Sequence, residues 1–95
     1  MENKNEYYDL MNSRVDELQA ELEKMKSEAY FHDDAGAKEF QNDVGIFEKK
    51  VDDARKHLME LKSKGDAAWS DMKEGVDHAL SDLKFSFDKI VSRFK

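Results

Sequence analysis

Leu58-Met-Glu-Leu-Lys-Ser-Lys-Gly-Asp-Ala-Ala68 is followed directly by Trp69-Ser-Asp-Met-Lys-Glu-Gly-Val-Asp-His-Ala79, and the two stretches share an eleven-residue pattern. The pattern continues through Leu80-Ser-Asp-Leu-Lys-Phe-Ser-Phe-Asp-Lys-Ile90 and a partial unit at 91–95. Lysine recurs in one column, at positions 62, 73, 84 and 95, and aspartate in another, at 66, 77 and 88. Eleven residues fill three helical turns at about 3.67 residues per turn, so an apolar column stays nearly straight along a helix. The repeat predicts an amphipathic helix.

The apolar residues of this helix fall on one stripe, which we interpret as its packing seam. The stripe consists of Trp69, Met72, Val76, Leu80, Leu83, Phe87, Val91 and Phe94. Burying three or four such side chains contributes several kcal/mol, at about 1.5–3 kcal/mol each. The stripe therefore has to face another apolar surface.

Two earlier segments carry apolar seams of their own. Steps of three and four residues connect Tyr8, Met11, Val15, Leu18, Leu22, Met25 and Ala29, and then Phe40, Val44, Phe47, Val51, Ala54, Leu58 and Leu61. Such spacing places all members of a seam on one helix face. The chain has no proline, so no helix is interrupted by a missing backbone donor. We predict an all-α fold, an antiparallel helical coiled coil.

The boundaries between the helices decide the architecture. We expect one domain, residues 1–95, with helices at about 5–31, 37–62 and 66–94. Gly65 suits the position just past a helix end, and Asp66 is a suitable cap for the next helix. Residues 33–36 are open to two interpretations. A turn there gives a three-helix up-down-up bundle, whereas a continuous helix gives a long helical hairpin whose first half needs a second chain.

Composition and charge limit the classes of function that fit this chain. Apolar residues make up 39% and charged residues 40% of the chain, which is typical of narrow seams between charged helices. Residues 58–95 hold seven basic and seven acidic residues, so the net charge of -6 resides in residues 1–57. This acidic part argues against nucleic-acid binding, which needs a positive surface. The absence of cysteine excludes disulfides but leaves the redox compartment open. With no signal-peptide pattern at the start and no long apolar run, we expect a cytoplasmic protein.

Histidine is the residue type that raises the question of a metal or acid-base site. A carboxylate precedes each one by four residues: Glu28 and His32, Asp53 and His57, Glu74 and His78. This spacing places both groups on one helix surface, but in an acidic chain it also arises by chance. Asp33 and Asp34 lack the ligand alternation of a calcium loop. We therefore predict no catalytic residue, no cofactor and no metal site, and hence no enzyme.

Phe85 is the residue that most directly suggests a partner. It lies on nearly the opposite side of the last helix from the stripe, at about 100° per residue. An exposed phenylalanine can be incidental, or it can contact a second chain. Tyr7, Tyr30 and Phe31 lie off or at the end of their seam and carry the same two interpretations.

The run Ala68-Trp69-Ser-Asp-Met-Lys73-Glu-Gly75-Val76-Asp-His-Ala79, together with Ser92-Arg93-Phe94-Lys95, resembles small bacterial coiled-coil domain-containing proteins described as stress-response proteins. The resemblance extends from about Tyr7 onward, and its motif is most specific near the C-terminal end. It implies an all-helical, non-enzymatic protein with no catalytic residues.

Three functions fit these patterns. The first is a self-associating, homo-oligomeric structural or interaction protein linked to stress response. The second is reversible binding of a membrane surface through the eleven-residue amphipathic repeat, with lysines at one edge of its stripe. The third is an adaptor for a specific protein partner.

Overall fold

Three α-helices account for nearly all of the structure. The computed structural model describes residues 3–28, 34–64 and 66–94, and it describes no side chains for residues 66–68 and 94. The helices are α1, Lys4–Glu28; α2, Asp34–Ser63; and α3, Asp66–Phe94. No strand occurs among the described residues. The predicted all-α fold class is confirmed.

Contacts between the helices give their directions. The Nζ atom of Lys4, at the start of α1, donates a hydrogen bond to the carbonyl oxygen of Lys64, just past the end of α2, at 2.7 Å. Phe47, in the first half of α2, packs against Phe87, in the last third of α3, with ring centroids 5.9 Å apart. Helix α2 therefore runs antiparallel to both α1 and α3, and the chain is an up-down-up bundle.

The dimensions of the molecule decide between the two interpretations of residues 33–36. The bundle measures 53 × 17 × 17 Å. A continuous helix from the start of α1 to the end of α2 would be about 90 Å long, at 1.5 Å per residue. The described helices therefore fit the three-helix bundle, with α1 and α2 as separate helices. Helix α2 already begins at Asp34, with Gly36 inside it, whereas Asp33 and Gly65 lie outside the described residues.

The core consists of the three seams converging on one axis. Val15 in α1, Phe47 in α2 and Leu83 in α3 are each fully buried. The remaining buried apolar side chains are Tyr7, Met11, Leu22, Phe40, Val44, Val51, Ala54, Leu58, Leu61, Val76, Phe87 and Ile90. Because each helix covers the apolar faces of the other two, the seams are satisfied within a single chain.

A buried carboxylate fixes the end of α3 against the start of α2. Asp43 is only 4% exposed, yet it lies on the core side of α2. Its Oδ2 atom accepts a hydrogen bond from the Nε atom of Arg93, and the Nζ atom of Lys89 lies 3.9 Å from its Oδ1 atom. Arg93 also donates to Glu39 at 2.7 Å. Two cations thus offset the cost of removing this carboxylate from water.

A second polar cluster fixes α1 against α2. The guanidinium of Arg55 in α2 donates hydrogen bonds to three α1 side chains: to Asn12 at 2.8 Å, to Asp16 at 2.7 Å and to Gln19. The planar fork of arginine can bridge several acceptors on one helix face. These bonds set the position of α1 along α2, since a shift by one turn would break them.

Glycine inside a helix gives a test of local helix stability. Gly45 is exposed in α2, and a Cβ atom added there would meet nothing within 4 Å. We expect Gly45→Ala to raise the free energy of unfolding by about 0.5–1 kcal/mol, because alanine loses less backbone entropy in a helix. The matched control is Ala20→Gly, at an exposed position inside α1, which should lower it by a similar amount. Thermal unfolding followed by circular dichroism measures both, and a lower melting temperature for Gly45→Ala would contradict the expectation.

The buried carboxylate gives a second test. Arg93→Gln should lower the free energy of unfolding by about 1–3 kcal/mol, because Asp43 would stay buried with weaker pairing. Lys84→Gln is the control: Lys84 and Asp88 form an ion pair at 3.2 Å with both side chains more than half exposed. Such surface pairs contribute about 0–1 kcal/mol. Urea denaturation measures both, and equal effects of the two substitutions would show that Asp43 gains nothing from Arg93.

Candidate interaction site

The structure places the α3 stripe in the interior of the bundle. Val76, Leu83 and Phe87 are buried, and the rest of the described stripe packs at the edge of the core: Trp69, Met72, Leu80 and Val91. The side chain of Phe94 lies outside the described residues. Because α1 and α2 cover Val76 and Leu83, these two residues are not available to a partner while the bundle stays closed.

Phe85 projects away from that core. It is 75% exposed, more than any other large apolar side chain of the described residues. Its direction follows from helix geometry, since it lies about 200° around α3 from both Leu83 and Phe87. The other exposed large apolar residues are Leu10 at 43%, Ile46 at 41% and Met59 at 68%.

A groove of about 770 Å³ lies between α1 and α3, beside Phe85. We call it the α1–α3 groove. Its apolar lining consists of Met11 and Leu18 from α1 and Leu80, Phe85 and Phe87 from α3. Its polar lining consists of Arg14, Glu17, Glu21, Asp77, Ser81, Lys84 and Asp88. The lining thus combines apolar and charged side chains, as the surfaces of protein interfaces do.

The charges of the groove are incompletely paired within the described part of the chain. Lys84 bonds Asp88 on its own helix, at 3.2 Å. Glu17 and Glu21, on the α1 side, form no ion pair with any described residue, and Arg14 contacts only the Sδ atom of Met11, at 4.0 Å. The α1 side of the groove thus offers two carboxylates to a cation from outside.

Tyr7 is not an exposed contact residue. It is only 2% exposed, and its hydroxyl donates to the backbone oxygen of Lys73, at 3.2 Å, and to Asp77. Its ring packs against Trp69, with centroids 5.8 Å apart. The seam assigned from the sequence began at Tyr8, but α1 sits between two helices at this point. Tyr7 therefore packs on α3, while Tyr8 lies under Lys62 of α2. Tyr30 and Phe31 lie outside the described residues.

Two of the histidines, His57 of α2 and His78 of α3, line a groove between these two helices. Asp53 and His57 of α2 line this groove together with His78 and Asp82 of α3, and its volume is about 300 Å³. The Nε2 atom of His78 lies 3.7 Å from Glu74, with both side chains largely exposed. Among residues 3–28, 34–64 and 66–94, no group of three metal-ligating side chains is arranged to hold an ion. His32 lies outside this part of the chain.

Comparison with protein-family models, curated proteins and solved structures finds no match to this chain. No helix in the described ranges is long and apolar enough to cross a bilayer.

The groove is the feature that sequence reasoning did not reveal. Phe85 was identifiable from its position opposite the stripe, because that requires only the geometry of one helix. The groove also needs the register of α1 against α3, which places Leu18 and Leu80 in the same groove. No pattern within either helix encodes that register.

The difference in burial between Leu83 and Phe85 of α3 can be tested by measuring the free energy of unfolding. Leu83→Ala should lower the free energy of unfolding by about 2–5 kcal/mol, because it opens a cavity in the core. Phe85→Ala should change it by no more than about 0.5 kcal/mol, as for exposed sites away from structural features. Urea denaturation at low protein concentration measures both. A large loss for Phe85→Ala would mean that this ring contributes to the fold of the isolated chain.

Proposed function

We propose that this protein is a non-enzymatic, self-associating interaction protein that acts through the face containing Phe85. The observation that carries the proposal is the 75% exposure of this phenylalanine in a chain whose three seams already close a core. Removing such a ring from water gains about 1.5–3 kcal/mol, which favours association with another surface. The link to stress response rests on the sequence resemblance alone.

Because the three helices already bury their seams against each other, an exposed seam is not the cause of self-association. In a long hairpin, the exposed α1 seam would have required a second chain. In the bundle, Val15 and Leu22 are buried by α2 and α3, so the seams require no partner. Of the exposed apolar side chains that remain for association, Phe85 is the most exposed, and it adjoins the α1–α3 groove.

The two alternative functions, an adaptor and a membrane-surface binder, require different states of the bundle. An adaptor would use the same face for a different protein. Membrane binding through the α3 stripe would first require α1 and α2 to leave Val76 and Leu83, which are both fully buried. We place self-association first because it needs neither a second protein nor opening of the core.

Sedimentation equilibrium over a wide concentration range tests the proposal. We expect the average mass to rise from that of one chain, 11.1 kDa, towards a multiple of it as concentration increases. Neighbouring aspartates and glutamates repel between copies at low salt, so about 0.15 M salt is the suitable condition, where the Debye length is about 8 Å. A mass that stays at 11.1 kDa up to millimolar concentration would refute self-association.

A further inference from the structure

Building on the proposed self-association, we infer that the α1–α3 groove is occupied by Phe85 of a second copy of this chain, in a two-fold symmetric dimer. Each copy inserts its phenylalanine into the groove of the other. Neither this occupant of the groove nor the two-fold arrangement follows from self-association alone.

The shape of the face supports a two-fold arrangement. A two-fold interface uses the same patch on both subunits, so the patch must contain both a projection and the recess that receives it. The face between α1 and α3 has both: Phe85 projects at 75% exposure, and the groove lies directly beside it. A projection and a recess on opposite faces would instead give a ring or an open filament.

The groove has room and a suitable lining for this occupant. Its volume of about 770 Å³ lies within the range of about 300–1,000 Å³ for pockets that enclose small organic molecules. A phenyl ring and its neighbouring side chains fit this space. The ring would meet Leu18 and Leu80, which are partly buried and pack against the core. Aromatic and aliphatic side chains surrounded by a polar edge are the usual centre of a protein interface.

Docking a second copy this way brings together one pair of opposite charges per copy, on a face whose lining carries four carboxylates and two cations. Lys84 precedes Phe85 on α3, so it accompanies the ring towards the other copy. The α1 side of the groove carries Glu17 and Glu21, which form no ion pair with a described residue. Each dimer therefore brings the Lys84 side chain of each copy towards the Glu17 and Glu21 carboxylates of the other. The lysine gains an acidic neighbour in addition to Asp88 of its own helix, 3.2 Å away.

Sedimentation equilibrium of variants tests whether Phe85 makes the contact. We expect Phe85→Ala to raise the dissociation constant of the dimer about tenfold or more, since it removes the central apolar anchor. Met59→Ala is the matched control, because Met59 is 68% exposed but lies on α2, outside the groove lining. It should leave the constant nearly unchanged. Ser81→Arg, which fills the groove while keeping Phe85, should weaken the dimer as well. Circular dichroism confirms that each variant is folded.

The outcomes separate the inference from the proposed function. If the wild-type chain dimerises and neither Phe85→Ala nor Ser81→Arg weakens the dimer, this arrangement is wrong while self-association stands. If the wild-type chain stays monomeric at every concentration, both are wrong. Binding of anionic vesicles by a monomeric chain through Phe85 would likewise overturn the inference.

Crosslinking tests the relative placement of the two copies. The chain contains no cysteine, so each introduced thiol is unique. We expect an equal mixture of Glu21→Cys and Lys84→Cys chains to form a disulfide mainly between the two different variants. Mixing Glu21→Cys with Met59→Cys serves as the control and should give little crosslinked product. Predominant crosslinking of Glu21→Cys to itself would contradict the arrangement.

Discussion

The burial of the α3 stripe between α1 and α2 is the interaction on which the rest of this structure depends. Val76 and Leu83 are fully buried because two other helices cover them from different sides. That arrangement draws α1 and α2 together and places the described part of each seam in the core or against it. In a chain that is 40% charged, so narrow a core is stable only if every helix contributes a face. Exposed residues can therefore be substituted without loss of the fold.

Polar contacts then choose one arrangement among those that would bury the same apolar faces. Regularly spaced seams can slide by one helical turn and still meet. Arg55 restricts α1 by bonding three of its side chains, and Asp43 restricts α3 through Arg93 and Lys89. Burying Asp43 stabilises little by itself, since desolvation opposes the gain from pairing. Its effect is to make other registers costly, because they would leave a buried charge unpaired.

The proposed binding surface follows from this packing. Helices α1 and α3 run parallel and leave an open groove between them, whereas Phe85 points away from the core beside it. Leu83 faces the core, whereas Phe85, on nearly the opposite side of the same helix, belongs to the proposed association surface. A substitution at Leu83 changes the stability of the fold, whereas a substitution at Phe85 changes the exposed surface. This separation would allow the proposed association to form and dissociate while the bundle stays intact.

The sequence by itself determined the helices, because a spacing of three to four residues and the eleven-residue repeat place side chains on one face without reference to anything distant. It also placed Phe85 opposite the stripe, by the same local geometry. The tertiary structure alone decided that α1 and α2 are separate, antiparallel helices, that Tyr7 is buried and that the α1–α3 groove exists. The reason is physical: each of these depends on which residue of one helix meets which residue of another. That register is set by the combined energy of all three helices and is not written in the periodicity of any one.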